Sequence, residues 1–215
     1  MKCIEKIHAR CVVGRRAKVL SGHVANLLPE NASVLDVGCG DGQIASMVRL
    51  RRPDVNIRGV DVLVRGQTAI PVEPFDGDHL PFEDNSFDSV MFIDVLHHTQ
   101  DPNRLLGEAA RVAIEAIVIK DHLREGWLAD STLRFMDRLG NCRHGVALPH
   151  NYWSRQRWKE AFRPHGLQLE YWREDLGLYP WPASMLFDRH LHFVARLTLA
   201  AGTIAAQINN SQCSS

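Results

Sequence analysis

The chain has 215 residues, 45% of them hydrophobic and 23% charged, which suits one globular domain with an ordinary core and excludes a largely disordered chain. Lys plus Arg and Asp plus Glu are both 25, and the resulting zero formal charge argues against a broad nucleic-acid or anionic-membrane surface, leaving a small molecule as the expected partner. Five cysteines (Cys3, Cys11, Cys39, Cys142, Cys213) without a C-x-x-C pair signal neither a zinc ribbon nor a disulfide framework. The first residues carry no apolar h-region, and no apolar run approaches the ~20 residues of a membrane span, so a soluble, cytoplasmic protein with reduced thiols is expected.

From Val12 to Leu28 the residues Val19, Leu20, Val24, Leu27 and Leu28 recur at helical spacing and Pro29 closes the run, which predicts an amphipathic helix. Ser33 to Val37 is a short apolar strand that enters Gly38-Cys39-Gly40-Asp41-Gly42. Ile44, Met47 and Val48 then mark a helix that Pro53 stops. Val55 to Asp61 reads as a second strand ending in a carboxylate, Ile70 to Phe75 as a third and Asp88 to Val95 as a fourth, fully buried one. Asp101 and Pro102 are a helix cap and first helical residue, with Leu105, Leu106, Ala109, Val112 and Ala113 as the buried face. Ile117 to Ile119 follows as strand five. This alternation predicts a doubly wound, Rossmann-like α/β sheet, mostly parallel, with helices on both faces and ligands at the edge formed by the strand C-termini.

Beyond Asp121 the pattern changes. Residues 122–153 carry Trp127, Leu128, Leu133, Phe135 and Met136, then a polar piece from Asn141 to His150, and read as a lid inserted over the site. Ser154 caps a helix bearing Trp158 and Phe162, residues 166–173 alternate as a strand, and His190 to Leu197 gives another. Between these strands Gly177 to Pro182 is a rigid aromatic loop. One domain is expected over 1–198, with 199–215 as a flexible tail.

A strand, a glycine turn and a helix bring backbone close to a nucleotide. A dinucleotide turn spaces its glycines G-x-G-x-x-G, whereas here the spacing is G-x-G-x-G, with Asp36 two residues before it and Asp41 inside it. Two carboxylates would repel a diphosphate and suit the amino and sulfonium groups of S-adenosylmethionine. Asp61, 25 residues after Asp36 at the end of strand two, stands where an acid accepts both hydroxyls of a ribose. A purely structural reading has Asp36 capping the turn, Asp41 capping the helix and Asp61 as a solvated strand end.

The run Val34-Leu-Asp-Val-Gly-Cys-Gly-Asp-Gly42 resembles motif I of the class I S-adenosylmethionine-dependent methyltransferases. A second block, Asp76-Gly-Asp-His-Leu-Pro-Phe-Glu-Asp-Asn-Ser-Phe-Asp88 followed by Val90-Met-Phe-Ile-Asp-Val-Leu-His-His98, resembles their small-molecule branch, the methyltransferase type 11 or ubiquinone-biosynthesis-like group. The resemblance spans about residues 30–122. It implies a seven-stranded sheet whose last strand is antiparallel, and methyl transfer to O, N or C of a small organic acceptor, with S-adenosylhomocysteine as product. It also implies that Gly38, Cys39 and Gly40 line the methionine end, Asp61 binds the ribose and Val62 packs on the adenine. Asp76 would accept from the adenine amino group, Gly77 would offer its N–H, and Asp94 would lie beside the methionine moiety, with the next residues facing the acceptor.

Methyl transfer from a sulfonium is an in-line displacement that needs alignment first and a base only for some acceptors. Candidate bases at strand ends are His97 and His98 after strand four and Asp121 and His122 after strand five, although adjacent histidines cannot both aim alike. Among eleven histidines there is no H-x-x-x-H, H-E-x-x-H or Cys/His pair, and His190 and His192, on one face of the last strand, lack an acidic or thiol companion, so no metal site is expected. Arg143, His144, His150, Asn151, Tyr152 and Trp153, with Tyr179 and Trp181, form either the wall of an acceptor pocket or a surface loop anchored by its aromatics. Two rival readings stand beside the enzyme: a non-catalytic, cofactor-binding or regulatory subunit, and a nicotinamide-dependent oxidoreductase, which the glycine spacing and Asp41 disfavour.

Overall fold

The computed structural model describes residues 2–141 and 149–199. Its seven strands are β1 (Ser33–Val37), β2 (Asn56–Asp61), β3 (Val72–Pro74), β4 (Phe87–Ile93), β5 (Ala113–His122), β6 (Leu167–Arg173) and β7 (His192–Leu199). They form one sheet of order β3-β2-β1-β4-β5-β7-β6. The first five run parallel, and β7 is antiparallel to both of its neighbours. The order reverses between β1 and β4, and a crevice at such a reversal is where doubly wound sheets bind ligands.

The apolar runs that looked continuous in sequence are continuous because both faces of the sheet are covered. Successive side chains alternate, so Leu35 and Val37 of β1, in register with Val90 and Phe92 of β4, join one core with Leu105, Leu106, Trp158 and Phe162. Val34 and Met91 point the other way into a second core with Leu20, Val24, Ala45 and Val48. Burying each of the larger side chains contributes about 1.5–3 kcal/mol.

The helices that cover these faces are α1 (Lys2–Ala25), α2 (Gln43–Arg51), α3 (Pro102–Val112), α4 (Ala129–Asn141), α5 (Arg155–Phe162) and the short α6 (Ser184–Phe187). The cap expected for α3 is present: Asp101 accepts from the backbone N–H groups of Asn103 at 3.0 Å and Arg104 at 3.2 Å, with Pro102 at the first turn. Ser154 caps α5 by accepting from Arg157 N–H at 3.3 Å.

Several boundaries differ from expectation. The first helix starts at Lys2 and ends at Ala25, short of Leu28. Ala113 begins β5 and does not extend the preceding helix. The fourth strand ends at Ile93, because Asp94 takes φ 59 and Leu96–His98 turns as a 3-10 helix. His190, with φ 54, lies in the turn before β7, so it does not share a strand face with His192. Leu199, assigned to the tail, belongs to β7.

The stretch predicted as a lid holds α4, whose Ala129 and Leu133 pack with Tyr152 and Leu191. Cys142, Arg143 and His144 lie outside the described residues, as do Cys213 and the remainder of the tail, 200–215, and the side chains of Cys3 and Cys11. No described helix is long and apolar enough to cross a membrane.

Candidate active site

The crevice is built on the turn that leaves β1. The N–H groups of Gly38 and Cys39 donate to the carbonyl of Val60 at 2.8 and 3.2 Å, which turns the chain over the end of β2. Gly38 has φ 72, and a Cβ there would lie 2.7 and 2.8 Å from the two methyl carbons of Val95. Both the left-handed backbone and the close approach therefore require glycine. Asp61, at the end of β2, clamps the same turn: Oδ2 accepts from Gly40 N–H at 2.7 Å and Oδ1 from Leu63 N–H at 2.9 Å. A carboxylate has about four acceptor sites, so lone pairs remain for ribose hydroxyls.

Asp36 lies at the floor, 3% exposed, and burial together with the neighbouring Asp61 pushes its carboxyl up to about 8. Asp41 accepts from Gln43 N–H at 3.1 Å, one residue ahead of the Gly42 N-cap of α2, and it also pairs with Arg65 at 3.6 Å. Arg65 crosses the turn, since a Cβ on Gly40 would stand 3.2 Å from its guanidinium. Cys39 is a free thiol that burial pushes up.

The residues expected at the adenine lie together beside β2 and β3. Val62 is exposed, and a Cβ on Gly77 (φ 92) would sit 3.2 Å from its Cγ1. Asp76 accepts from the N–H groups of Asp78 and His79 at 2.8 and 2.7 Å, which hold its carboxyl below the ordinary value.

Asp94 is less free than the sequence implied. It forms short ion pairs with Arg16 of α1 and Lys120 of β5, and His122 Nε2 stands 3.5 Å away. Burial works to raise this carboxyl, but Arg16 and Lys120 outweigh it and hold it well below the usual range. Lys120 is fully buried, and its amine also faces His192 Nδ1 at 3.3 Å. No motif announced Arg16 or Lys120. The only signal was a lysine directly after the apolar run Ile117–Ile119.

A second cluster surrounds the 3-10 turn. His97 is 1% exposed, with Nδ1 2.6 Å from Asp121 Oδ1 and Nε2 3.6 Å from Oδ2 of Asp137 on α4. The Tyr152 hydroxyl donates to Asp137, and His150 Nδ1 lies 3.4 Å from the same carboxylate. Asn151 clasps the segment in place, its backbone N–H donating to His97 O at 2.8 Å and its amide to Thr99 O at 2.7 Å. Asp137 was not picked out from the sequence. Its signal was a carboxylate four residues after the buried Leu133, on the same helix face.

Burial lowers His97, yet Asp121 and Asp137 outweigh it and raise the imidazole to about 9. Burial and then His97 push His98 down to about 4, and burial, Lys120 and His97 push His122 well below its ordinary value. The expected acceptor wall separates. His150, Asn151 and Tyr152 join the histidine cluster, whereas Trp153 is in the core against Trp158, Tyr179 packs on His192, and Trp181 is exposed.

Residues 35–116 match the family described as Methyltransferase domain. The methyltransferase GfsG of Streptomyces halstedii is 30% identical over 135 residues, 50% of this chain and 48% of that protein. The chain spans about half or less of the length of the curated relatives it matches. Among solved structures, a chain from the complex between the Haloferax volcanii Trm112 methyltransferase activator and a methyltransferase superposes with TM-score 0.67 at 20% identity, covering 86% of this chain and 90% of that one. An S-adenosylmethionine-dependent methyltransferase from Aquifex aeolicus gives TM-score 0.55 at 18% identity, over 80% and 85% of the two chains. The fold is that of the class I methyltransferases. Residues 35–116 are thus similar to a methyltransferase domain, and the chain shares the fold of solved S-adenosylmethionine-dependent methyltransferases.

Proposed function

We propose that the chain transfers the methyl group of S-adenosylmethionine to O, N or C of a small organic acceptor. The observation that carries this reading is the clamp of Asp61 on Gly40, with the buried Asp36 close enough to feel the Asp61 charge. It makes a glycine-lined cradle, too close to admit side chains, with acid where a cation would lie. The residues therefore fit the cofactor.

When bound, S-adenosylmethionine supplies a methyl already activated on a sulfonium. Gly38, Cys39 and Gly40 would hold its methionine end, Asp36 would offset its positive charge, and Asp61 would accept from the ribose. Val62, Asp76 and Gly77 would hold the adenine. Asp94, paired with Arg16 and Lys120, lies between the end of β4 and the 3-10 turn that carries His97 and His98. A general base works best with a pKa near the working pH, and His97, His98 and His122 are all displaced from it. Alignment of donor and acceptor is thus the chain's main contribution, worth many kcal/mol of barrier on its own.

That none of His97, His98 and His122 is poised near the working pH also favours a second reading, a cofactor-binding subunit without turnover. Incubating the chain with S-adenosylmethionine and acceptors bearing hydroxyl, amine or acidic C–H groups, and following S-adenosylhomocysteine, separates the two. Release that depends on the acceptor is expected. Cofactor binding without release for any acceptor class would favour the subunit.

A further inference from the structure

We propose that His97, His98 and Asp137 form a binding site for one divalent transition-metal ion of the zinc type. One ring nitrogen of each histidine and a carboxylate oxygen of Asp137 all lie within 4.8 Å of one another. His97 Nε2 and Asp137 Oδ2 are 3.6 Å apart, beyond hydrogen-bond reach and close to the roughly 3.4 Å edge of a tetrahedron with metal bonds of about 2.1 Å.

Independent of that spacing, His97 Nε2 and His98 Nδ1 are buried atoms that no donor or acceptor satisfies among the described residues. Buried ring nitrogens are seldom left so, and a ligand on them removes the cost. The outer contacts are those that orient metal ligands. Asp121 takes the Nδ1 side of His97 at 2.6 Å, which leaves Nε2 facing Asp137, where a metal ion would displace the Nε2 proton, a carboxylate–histidine–metal arrangement. The Tyr152 hydroxyl donates to the Asp137 carboxylate, and the rings of His97 and Tyr152 stack at 5.5 Å, so both ligands are held in place.

Charge points the same way. Asp94 is already neutralised by Arg16 and Lys120, which leaves Asp121 and Asp137 as two negative charges to balance a divalent ion. Imidazole and carboxylate donors suit zinc and its neighbours better than calcium or magnesium. Local spacing concealed the site because Asp137 lies 39 positions after His98 and only the packing of α4 on the 3-10 turn joins them.

Three protein ligands leave a fourth position open, as in catalytic sites. Building on the methyl-transfer reading, an acceptor hydroxyl placed there would lose its proton to solvent more readily because the cation stabilises the resulting oxyanion.

The test uses the full chain, stripped with a chelator and titrated with Zn²⁺ by calorimetry and with Co²⁺ by visible absorption. One ion per chain is expected, with the intense visible bands of tetrahedral Co²⁺. His97→Ala and Asp137→Asn should each weaken Zn²⁺ at least tenfold, Asp121→Asn should weaken it roughly 10- to 100-fold through orientation alone, and His190→Ala, at an exposed turn, should leave it unchanged. Circular dichroism establishes that each variant is folded. No stoichiometric ion on the folded chain, or equal affinity in the His97→Ala and Asp137→Asn variants, would overturn the site. Metal binding is read without turnover, so a chain that binds Zn²⁺ but releases no S-adenosylhomocysteine upholds the site while refuting methyl transfer. Acceptor-dependent release from a folded chain that binds no ion does the reverse.

Discussion

Asp121 and His97 are locked together out of solvent: Oδ1 of the one lies 2.6 Å from Nδ1 of the other, with side-chain exposures of 0% and 1%. The pair joins the end of β5 to the turn after β4, and Asp121 also accepts from His122 N–H at 2.7 Å. Breaking a buried pair by removing one partner costs about 3–5 kcal/mol. Asp121→Ala should therefore destabilise the chain by about 3 kcal/mol in urea unfolding. Adding His97→Ala should cost less than the sum of the single changes, with a coupling of about 1–3 kcal/mol. Additivity within about 0.5 kcal/mol would show that the pair is not coupled.

Gly38 is constrained both by its backbone and by Val95. Gly38→Ala should cost about 2–5 kcal/mol, from a left-handed alanine at about 1–2 kcal/mol and from overpacking at about 1–3 kcal/mol. In the Val95→Ala background the overpacking part should vanish and the backbone part remain. Equal costs in both backgrounds would place the whole effect in the backbone.

The carboxyl of Asp36 ionises near 3.8 in an unfolded chain and about 8 in the folded one. Between those values the folded state holds the extra proton, so the contribution of Asp36 to stability is full below about pH 4 and is lost as pH rises toward 8. Asp36→Asn should flatten that part of the stability profile. A cationic cofactor favours the ionised form, so its binding at pH 7 should release a proton. Calorimetry in two buffers of different ionisation enthalpy would detect this release, and Asp36→Asn should abolish it.

Asp94 holds two cations, Arg16 and the fully buried Lys120. Asp94→Asn leaves both without their counter-charge and should cost about 3–5 kcal/mol by chemical denaturation. Lys120→Met, which removes one buried charge and leaves Asp94 paired with Arg16, should cost less. The opposite ranking would mean that the Lys120 ammonium, and not the carboxylate, organises the network.

Much of the sheet was legible because burial on both faces writes itself as unbroken apolar runs, as in Val90 to Ile93, and because Asp101-Pro102 is a local start signal. The glycine turn was legible for a similar reason, since its spacing and its acids are contiguous. What escaped were features set by tertiary contact. Lys120 reads as a strand end until Asp94 is brought beneath it, and Asp137 reads as one face of an amphipathic helix until that helix lands on His97. The left-handed Asp94 also shortened the fourth strand; aspartate tolerates that backbone better than most residues, but the apolar run around it reads on as strand. His190 and His192 alternate in sequence like strand neighbours, but the turn at His190 separates them.

The most direct test is calorimetric titration of the chain with S-adenosylmethionine, beside Asp61→Ala and beside NAD. One cofactor per chain should bind, and Asp61→Ala should weaken it by at least about 1.5 kcal/mol through lost ribose hydrogen bonds and a loosened Gly40 turn. NAD should not bind. A folded chain that fails to bind S-adenosylmethionine, or that binds it equally well without the Asp61 carboxylate, would contradict the account.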